Sequence, residues 1–390
     1  MRNPLNLEKR LDLRIKENSF RNLKPASTLK DFSSNDYLGF SHNEKINKLA
    51  ISILKENGLS GSNGATGSRL LTGNHEIFSI AENYIRHFHG AGAALIFNSG
   101  YDANIGVFAN VPQRGDIILF DELVHASIRE GIKLSNARAF KFKHNDIEDL
   151  EKLLRKYSIS DHKDSFKGDV FIVTESVFSM DGDIAPLKSI VDLSEKYSAF
   201  LIIDEAHSTG VFGKKGEGLS QEMNLEKKVF ARIITFGKAL GGHGAAVLGS
   251  EKLRDYLINF SRSFIYTTAL PPHSVATILA AYHILNNNEN RHPALSSLQE
   301  NINFFKTELE AKDISGQFIE SRSAIQCCVI PGNDEVKNAA IFLQEKGFDV
   351  RPILSPTVSP GKERLRICLH SFNTEQDIKS LIEHLANFIK

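Results

Sequence analysis

Residues 200–207 read Phe-Leu-Ile-Ile-Asp-Glu-Ala-His. Four apolar residues ended by Asp204 give the pattern of a strand buried on both faces, as in a parallel sheet. A carboxylate at such a place is withdrawn from water and needs a cationic or hydrogen-bonding partner. Further on, Arg232-Ile233-Ile234-Thr235-Phe236 forms a second short apolar run and leads into Gly237-Lys238-Ala239-Leu240-Gly241-Gly242. The glycines let a flat ligand or another backbone come close to Lys238. Pyridoxal phosphate would use both residues: an Asp keeps its ring nitrogen protonated, and a Lys forms a Schiff base with its aldehyde.

The rest of the chain extends that frame. Apolar runs at Ala94–Phe97, Ile117–Phe120, Val170–Thr174 and Ala246–Leu248 are further strand candidates, separated by helical or looped segments of which 186–197 is the clearest helix. This alternation predicts an α/β fold with a mostly parallel central sheet covered by helices on both faces. A charged helix is expected over 5–24, and one with apolar spacing over 77–88. After Pro271-Pro272 come longer helices near 273–286 and 294–312. Strands at Ile325–Ile330, Phe348–Ile353 and Arg364–Leu369 follow, with a helix near 335–346 closed by Gly347 and a last helix from Thr374. The division expected is an N-terminal segment 1–48, a large α/β domain 49–272 and a smaller C-terminal α+β domain 273–390.

Composition narrows the function classes. The 390 residues carry 47 Lys+Arg against 47 Asp+Glu. That balance gives no net field toward nucleic acid or an anionic membrane. No apolar run approaches the roughly 18 residues that span a bilayer, and the polar start does not read as a signal peptide. Cys327, Cys328 and Cys368 lack metal-ligand spacing, so no metal is expected. A reducing cytoplasmic setting is the plain reading.

Pyridoxal phosphate needs an amine, an anion for the ring nitrogen, a donor to the phenolic oxygen, a ring stack and a phosphate cradle. Lys238 and Asp204 answer the first two. His207, just past the strand end, can donate to the phenolic oxygen. His125, after strand Ile117–Phe120, can stack and act in acid–base chemistry. Ser99-Gly100-Tyr101 follows strand Ala94–Phe97, where amides at a helix start can hold phosphate, and Thr235 can add a hydroxyl. All sit at the carboxyl ends of predicted strands, the edge where open α/β sheets bind ligands.

With these residues in place, the chain resembles the α-oxoamine synthases of the fold-type I pyridoxal phosphate enzymes over nearly its whole length. The motifs, in order, are Ser33-Ser34-Asn35-Asp36-Tyr37-Leu38-Gly39, Val124-His125-Ala126-Ser127, residues 174–183 (Thr-Glu-Ser-Val-Phe-Ser-Met-Asp-Gly-Asp), residues 204–210 (Asp-Glu-Ala-His-Ser-Thr-Gly), Thr235-Phe236-Gly237-Lys238, residues 266–272 (Tyr-Thr-Thr-Ala-Leu-Pro-Pro) and Arg364-Leu365-Arg366. The resemblance implies condensation of a small amino acid with an acyl-CoA or acyl-carrier-protein thioester, with loss of carbon dioxide. It implies that Lys238 holds the cofactor and then takes the α-proton, that His125 stacks on the ring, and that Ser179 and His207 contact the cofactor. Asn35 and Arg366 would hold the amino-acid carboxylate. Thr267 and Thr268 would reach the phosphate of a neighbouring subunit, which implies a homodimer with shared active sites. The branch it is most similar to joins L-alanine to a pimeloyl thioester in biotin synthesis, and there Arg21, in the N-terminal helix, and Thr357 fall where substrate is met. Ser176 and Ser208 depart from that branch, which commonly has glycine at both positions. Branches using glycine with acetyl-CoA, or serine with a long-chain thioester, stay open.

Overall fold

A computed structural model describes residues 3–23, 25, 27–158, 168–286 and 291–389. The chain divides into two compact units, one of residues 35–179 and 183–299, the other of residues 1–34, 180–182 and 300–390. Strand β1 (Lys30–Asp31) belongs to the smaller unit. The larger holds β2 (Ala93–Phe97), β3 (Ile117–Asp121), β4 (Arg138–Phe142), β5 (Val170–Glu175), β6 (Phe200–Asp204), β7 (Ala231–Thr235) and β8 (Ala245–Gly249).

These seven form one sheet in the order β2-β8-β7-β6-β5-β3-β4. The pairs β3–β4, β3–β5, β5–β6 and β6–β7 are parallel. β8 alone runs against both its neighbours. Strands β2, β5 and β7 are buried at every residue, as a sheet covered on both faces requires. The predicted strands sit where the apolar runs place them. β4, Arg-Ala-Phe-Lys-Phe, was absent from that reading because it is a partly exposed edge strand whose two cations break the apolar run.

Three helices of this unit show how a side chain can satisfy the first amides. Asn43 accepts from the amides of Lys45 and Ile46 at the head of the helix Glu44–Glu56. Ser99 accepts from Asp102 at the head of Gly100–Phe108, and Ser250 from Leu253 at the head of Glu251–Phe260. The helix Pro272–Asn286 packs on Glu44–Glu56 and on Glu76–Phe88, inside the larger unit.

In the smaller unit, β9 (Ile325–Val329), β10 (Phe348–Asp349), β11 (Arg351–Ile353) and β12 (Arg364–Cys368) make two sheets. β11, β12 and β9 are antiparallel, and β1 pairs in parallel with β10. The single strand expected over Phe348–Ile353 is therefore two short ones, split at Val350, which turn to different partners. Pro352 is accommodated because β11 is an edge. Gly347, at φ 94°, closes the helix Asn333–Glu345 as expected. The N-terminal helix stops at Lys16 rather than continuing to 24. Asn18 takes a left-handed conformation (φ 50°) and the Ser19 amide returns to the Arg14 carbonyl, a helix-terminating turn. Cys327, Cys328 and Cys368 are buried free thiols. Among the described residues no group of His, Cys, Asp and Glu is arranged to hold a metal ion, and no helix is long and apolar enough to cross a membrane.

Candidate active site

At the carboxyl edge of the sheet in the larger unit lies a cavity of about 280 Å³, near the small end of the usual range for ligand sites. Its wall includes Asn35, Ser99, Gly100, Tyr101, His125, Asp204, His207, Thr235 and Lys238. Nine residues that the sequence singles out thus meet around one space; all but Asn35 follow or end strands of this sheet whose carboxyl ends open there.

Asp204 is the last residue of β6 and is buried. Its Oδ1 accepts from the Ala206 amide (2.9 Å) and its Oδ2 from Asn104 Nδ2 (2.9 Å). Asn104 also donates to Ser127 Oγ (3.0 Å), which lies 2.7 Å from Nδ1 of His125. The Ser127 amide donates to the same Nδ1 (3.2 Å). That nitrogen is therefore an acceptor, and a neutral His125 carries its proton on Nε2. Burial holds His125 below the ordinary imidazole range, opposed by Asp204 and reinforced by Lys238 and Arg129.

Lys238 Nζ stands 2.7 Å from Nε2 of His207, whose Nδ1 is 2.8 Å from the Tyr37 hydroxyl. At the opposite wall, the helix Gly100–Phe108 begins at the cavity. Ser99 Oγ accepts from the Asp102 amide (3.0 Å) and donates to Asp102 Oδ2 (2.8 Å). A Cβ on Gly100 would come within 2.7 Å of Thr235 Cγ2, so only glycine lets this helix start sit against β7.

Three wall residues lie outside every motif: Asn104, His243 and Gly244. Asn104 lies mid-helix with no local signal. Glu175 was inside a quoted motif, yet only register reveals its place: it pairs directly with Asp204 across β5 and β6. Burial first, then Asp204, pushes its carboxyl well above the usual carboxylate range, while the His125 amide donates to its Oε1 (2.6 Å).

The other expected residues stand elsewhere. Ser179 occupies the turn after residue 178, half-buried, and is not part of the cavity wall. Thr267 Oγ1 and the Thr268 carbonyl both accept from Asn98 Nδ2 (3.1 and 2.6 Å), also off that wall. Arg21, Thr357 and Arg366 belong to the smaller unit. Arg21 is exposed and lies beyond the N-terminal helix, not on it as the sequence suggests. Thr357 is exposed in the turn 355–357, its amide bonded to the Leu354 carbonyl (2.8 Å). Arg366 is buried on β12, with Nη1 donating to Cys368 Sγ (3.0 Å).

The residues present fit pyridoxal phosphate on structural grounds of their own. The wall offers a primary amine, two carboxyl groups, three imidazoles and a helix start on a glycine that must stay bare. Among the described residues, Asn104 Oδ1 is a buried acceptor with no donor, a group that a ligand in the cavity can satisfy.

Comparison with known proteins agrees. The family model for aminotransferases of class I and II matches residues 27–385. The chain is 41% identical over 375 residues to the 8-amino-7-oxononanoate synthase of Emericella nidulans, covering 94% of this chain and 90% of that one. A putative 8-amino-7-oxononanoate synthase of Geobacillus kaustophilus is also 41% identical, over 94% and 89% of the two chains. Among solved structures, the serine palmitoyltransferase of Sphingomonas wittichii superposes with a TM-score of 0.85 at 26% identity, over 98% of this chain and 96% of that one. The 8-amino-7-oxononanoate synthase of Francisella tularensis gives a TM-score of 0.76 at 30% identity, over 93% and 98%. Motifs, fold and relatives converge, and the chain belongs to the α-oxoamine synthases, the pyridoxal-phosphate-dependent acyltransferases of the class I and II aminotransferase family.

Proposed function

We propose that this enzyme condenses L-alanine with a pimeloyl thioester, of CoA or of a carrier protein, releasing carbon dioxide and the free thiol and giving 8-amino-7-oxononanoate for biotin synthesis. The observation that carries the substrate assignment is the 41% identity, over 94% of the chain, to a relative of that name.

Bound pyridoxal phosphate supplies an electron sink for the charge left when the amino acid loses its α-proton. Lys238, whose amine reaches the cavity, holds the cofactor and takes that proton. Asp204, buried and fixed by Asn104, faces the ring nitrogen. His125 covers the ring and offers Nε2–H to the oxygen that gains charge when the thioester is attacked. Ser99, Gly100, Tyr101 and Thr235 hold the phosphate, His207 the phenolic oxygen, and Asn35 the substrate carboxylate. The roles of Ser179, Arg21, Thr357 and Arg366, and of Thr267 and Thr268 across a homodimer interface, belong to the same proposal, as does a cytoplasmic setting.

A second reading, condensation of serine with a long-chain thioester, is favoured by the superposition on serine palmitoyltransferase at a TM-score of 0.85. Purified enzyme offered alanine, glycine or serine against pimeloyl, acetyl or palmitoyl thioesters separates them by product mass. A product from alanine and the pimeloyl thioester alone is expected; one from serine and the palmitoyl thioester would replace the first reading.

A further inference from the structure

His125 stands just ahead of the helix Ala126–Leu134 and caps it: ring nitrogen Nδ1 accepts from the Ser127 amide (3.2 Å). An imidazole is an unusual cap, since Ser, Thr, Asp and Asn lead at this position. The Ser127 hydroxyl lies 2.7 Å from the same nitrogen, so one fully buried residue meets Nδ1 twice. On its other side that hydroxyl accepts from Asn104 Nδ2 (3.0 Å), and the same Nδ2 donates to Asp204 Oδ2 (2.9 Å).

The donors leave little choice at Nδ1. A backbone amide only donates, so the nitrogen it faces presents a lone pair. Asn104 turns its NH2 to Asp204, because a carboxylate only accepts, and its second proton goes to Ser127. The serine proton then goes to Nδ1, the one acceptor it meets among the described residues. A proton on Nδ1 would strand the Ser127 amide and the Ser127 hydroxyl proton together, and a doubly protonated ring would set a cation at the positive end of a helix. The single proton of the ring is therefore on Nε2.

We propose that Ser127 is a positioning residue that holds His125 neutral, with its one proton on Nε2, so that His125 serves the reaction as a fixed hydrogen-bond donor and neither takes up nor gives up a proton. The amide decides which nitrogen is bare. The hydroxyl strengthens that decision and, through Asn104, ties the ring to Asp204. A neutral imidazole at a helix start can polarise an oxygen where an imidazolium would instead hand over its proton.

The surroundings of the ring act in the same direction on balance. Burial disfavours a charged ring; Asp204 favours one, and Lys238 and Arg129 oppose it. Glu175, the other carboxyl group at this place, accepts from the His125 backbone amide (2.6 Å).

This role rests on reading His125 as the donor to the substrate oxygen, whereas its test offers no substrate and can fail while that reading stands. In full-length holoenzyme labelled with ¹⁵N-histidine, the His125 imidazole is identified by its loss in His125→Asn, and its nitrogen shifts report charge and tautomer. At pH 6, where a free imidazole of pKa about 6.5 is mostly protonated, the wild type is expected to show a neutral ring with Nε2–H. Ser127→Ala keeps the amide but removes one hydrogen bond to Nδ1. It should keep the tautomer and raise the ring's proton affinity by about threefold to tenfold, read as a shift of the titration midpoint. Ser127→Cys, a weaker donor at the same place, should fall between the two. A wild-type ring that is charged at pH 6 or protonated on Nδ1, or a midpoint unmoved by Ser127→Ala, overturns the proposal. Should Ser127→Ala fail to fold, the wild-type ring and the midpoint of Ser127→Cys decide.

Discussion

Glu175 and Asp204 stand directly opposite one another as the last residues of two neighbouring parallel strands, both buried. Two adjacent carboxyl groups out of water do not both ionise readily. The neighbourhood divides them: Asp204 receives hydrogen bonds from Asn104 and Ala206, whereas burial and the nearness of Asp204 push Glu175 toward its neutral form. Environments that separate two like groups in this way assign them different work.

From that division follows a test on Glu175. A neutral carboxyl accepting one amide proton is mimicked by a carboxamide, so Glu175→Gln should keep kcat/KM within about threefold. Glu175→Ala strands the buried His125 amide, which costs about 1–3 kcal/mol, and kcat/KM should fall at least about tenfold. Steady-state kinetics on both variants checks this. Equal damage from Gln and Ala would show that Glu175 works as a carboxylate.

Among the described residues, Lys238 is the one primary amine on the cavity wall. Lys238→Ala should abolish the cofactor's visible band and lower turnover by about 10³-fold or more, since nucleophile and base are lost together. Absorbance and single-turnover assays measure the two effects separately. Retention of the wild-type band would place the cofactor's anchor elsewhere.

Much of this site was legible because its residues lie at strand ends, and strands buried on both faces are plain in sequence. Asp204 closes a run of four apolar residues, and Thr235 and Lys238 lie at the end of a second short, mostly apolar run. What was not legible depends on register and on helix rotation. Nothing local tells that Glu175 faces Asp204, that Asn104 turns inward from mid-helix, or that Tyr37 reaches His207 across 170 positions. The helix expected over 5–24 would carry Arg21, but its apolar stripe ends at Ile15 and the left-handed Asn18 closes the helix at Lys16.

His144 gives a pH prediction. Its Nδ1 meets Asp121 Oδ1 (3.0 Å), its Nε2 meets Asp183 Oδ2 (2.7 Å), and its ring sits edge-on to Phe178. Against the cost of burial, these two carboxylates raise its pKa to about 10. A raised pKa means that the imidazolium stabilises the fold fully below the unfolded value of about 6.5. That contribution is lost as pH climbs from there through about 10. Thermal unfolding midpoints of the holoenzyme should fall over this window, and His144→Gln should be less stable at pH 6 by about 3 kcal/mol with a flatter profile. An unchanged slope in the variant would remove His144 as the cause.

Ser176 and Ser208, the two departures from glycine, are partners. Both are fully buried, and Ser176 Oγ donates to Ser208 Oγ at 2.9 Å. Ser208 in turn donates to Glu205 Oε1 (3.1 Å), which also accepts from the Ser220 amide (2.9 Å), while Glu205 Oε2 meets Arg232 at 3.4 Å. The pair thus ties the end of β5 to the turn that carries His207. Ser176 Oγ also faces the Asp204 carbonyl (3.2 Å) and Ser208 Oγ the Glu205 carbonyl (3.3 Å), so removing one serine takes from the second its hydroxyl partner but not its backbone one, and removing both leaves less unpaired. Ser176→Ala and Ser208→Ala should each destabilise the holoenzyme by about 1 kcal/mol. The double variant should lose less than the sum, with a coupling of about 0.5–1.5 kcal/mol in a double-mutant cycle read from denaturant midpoints. Strict additivity would mean that the two serines act independently, each through its own backbone contact.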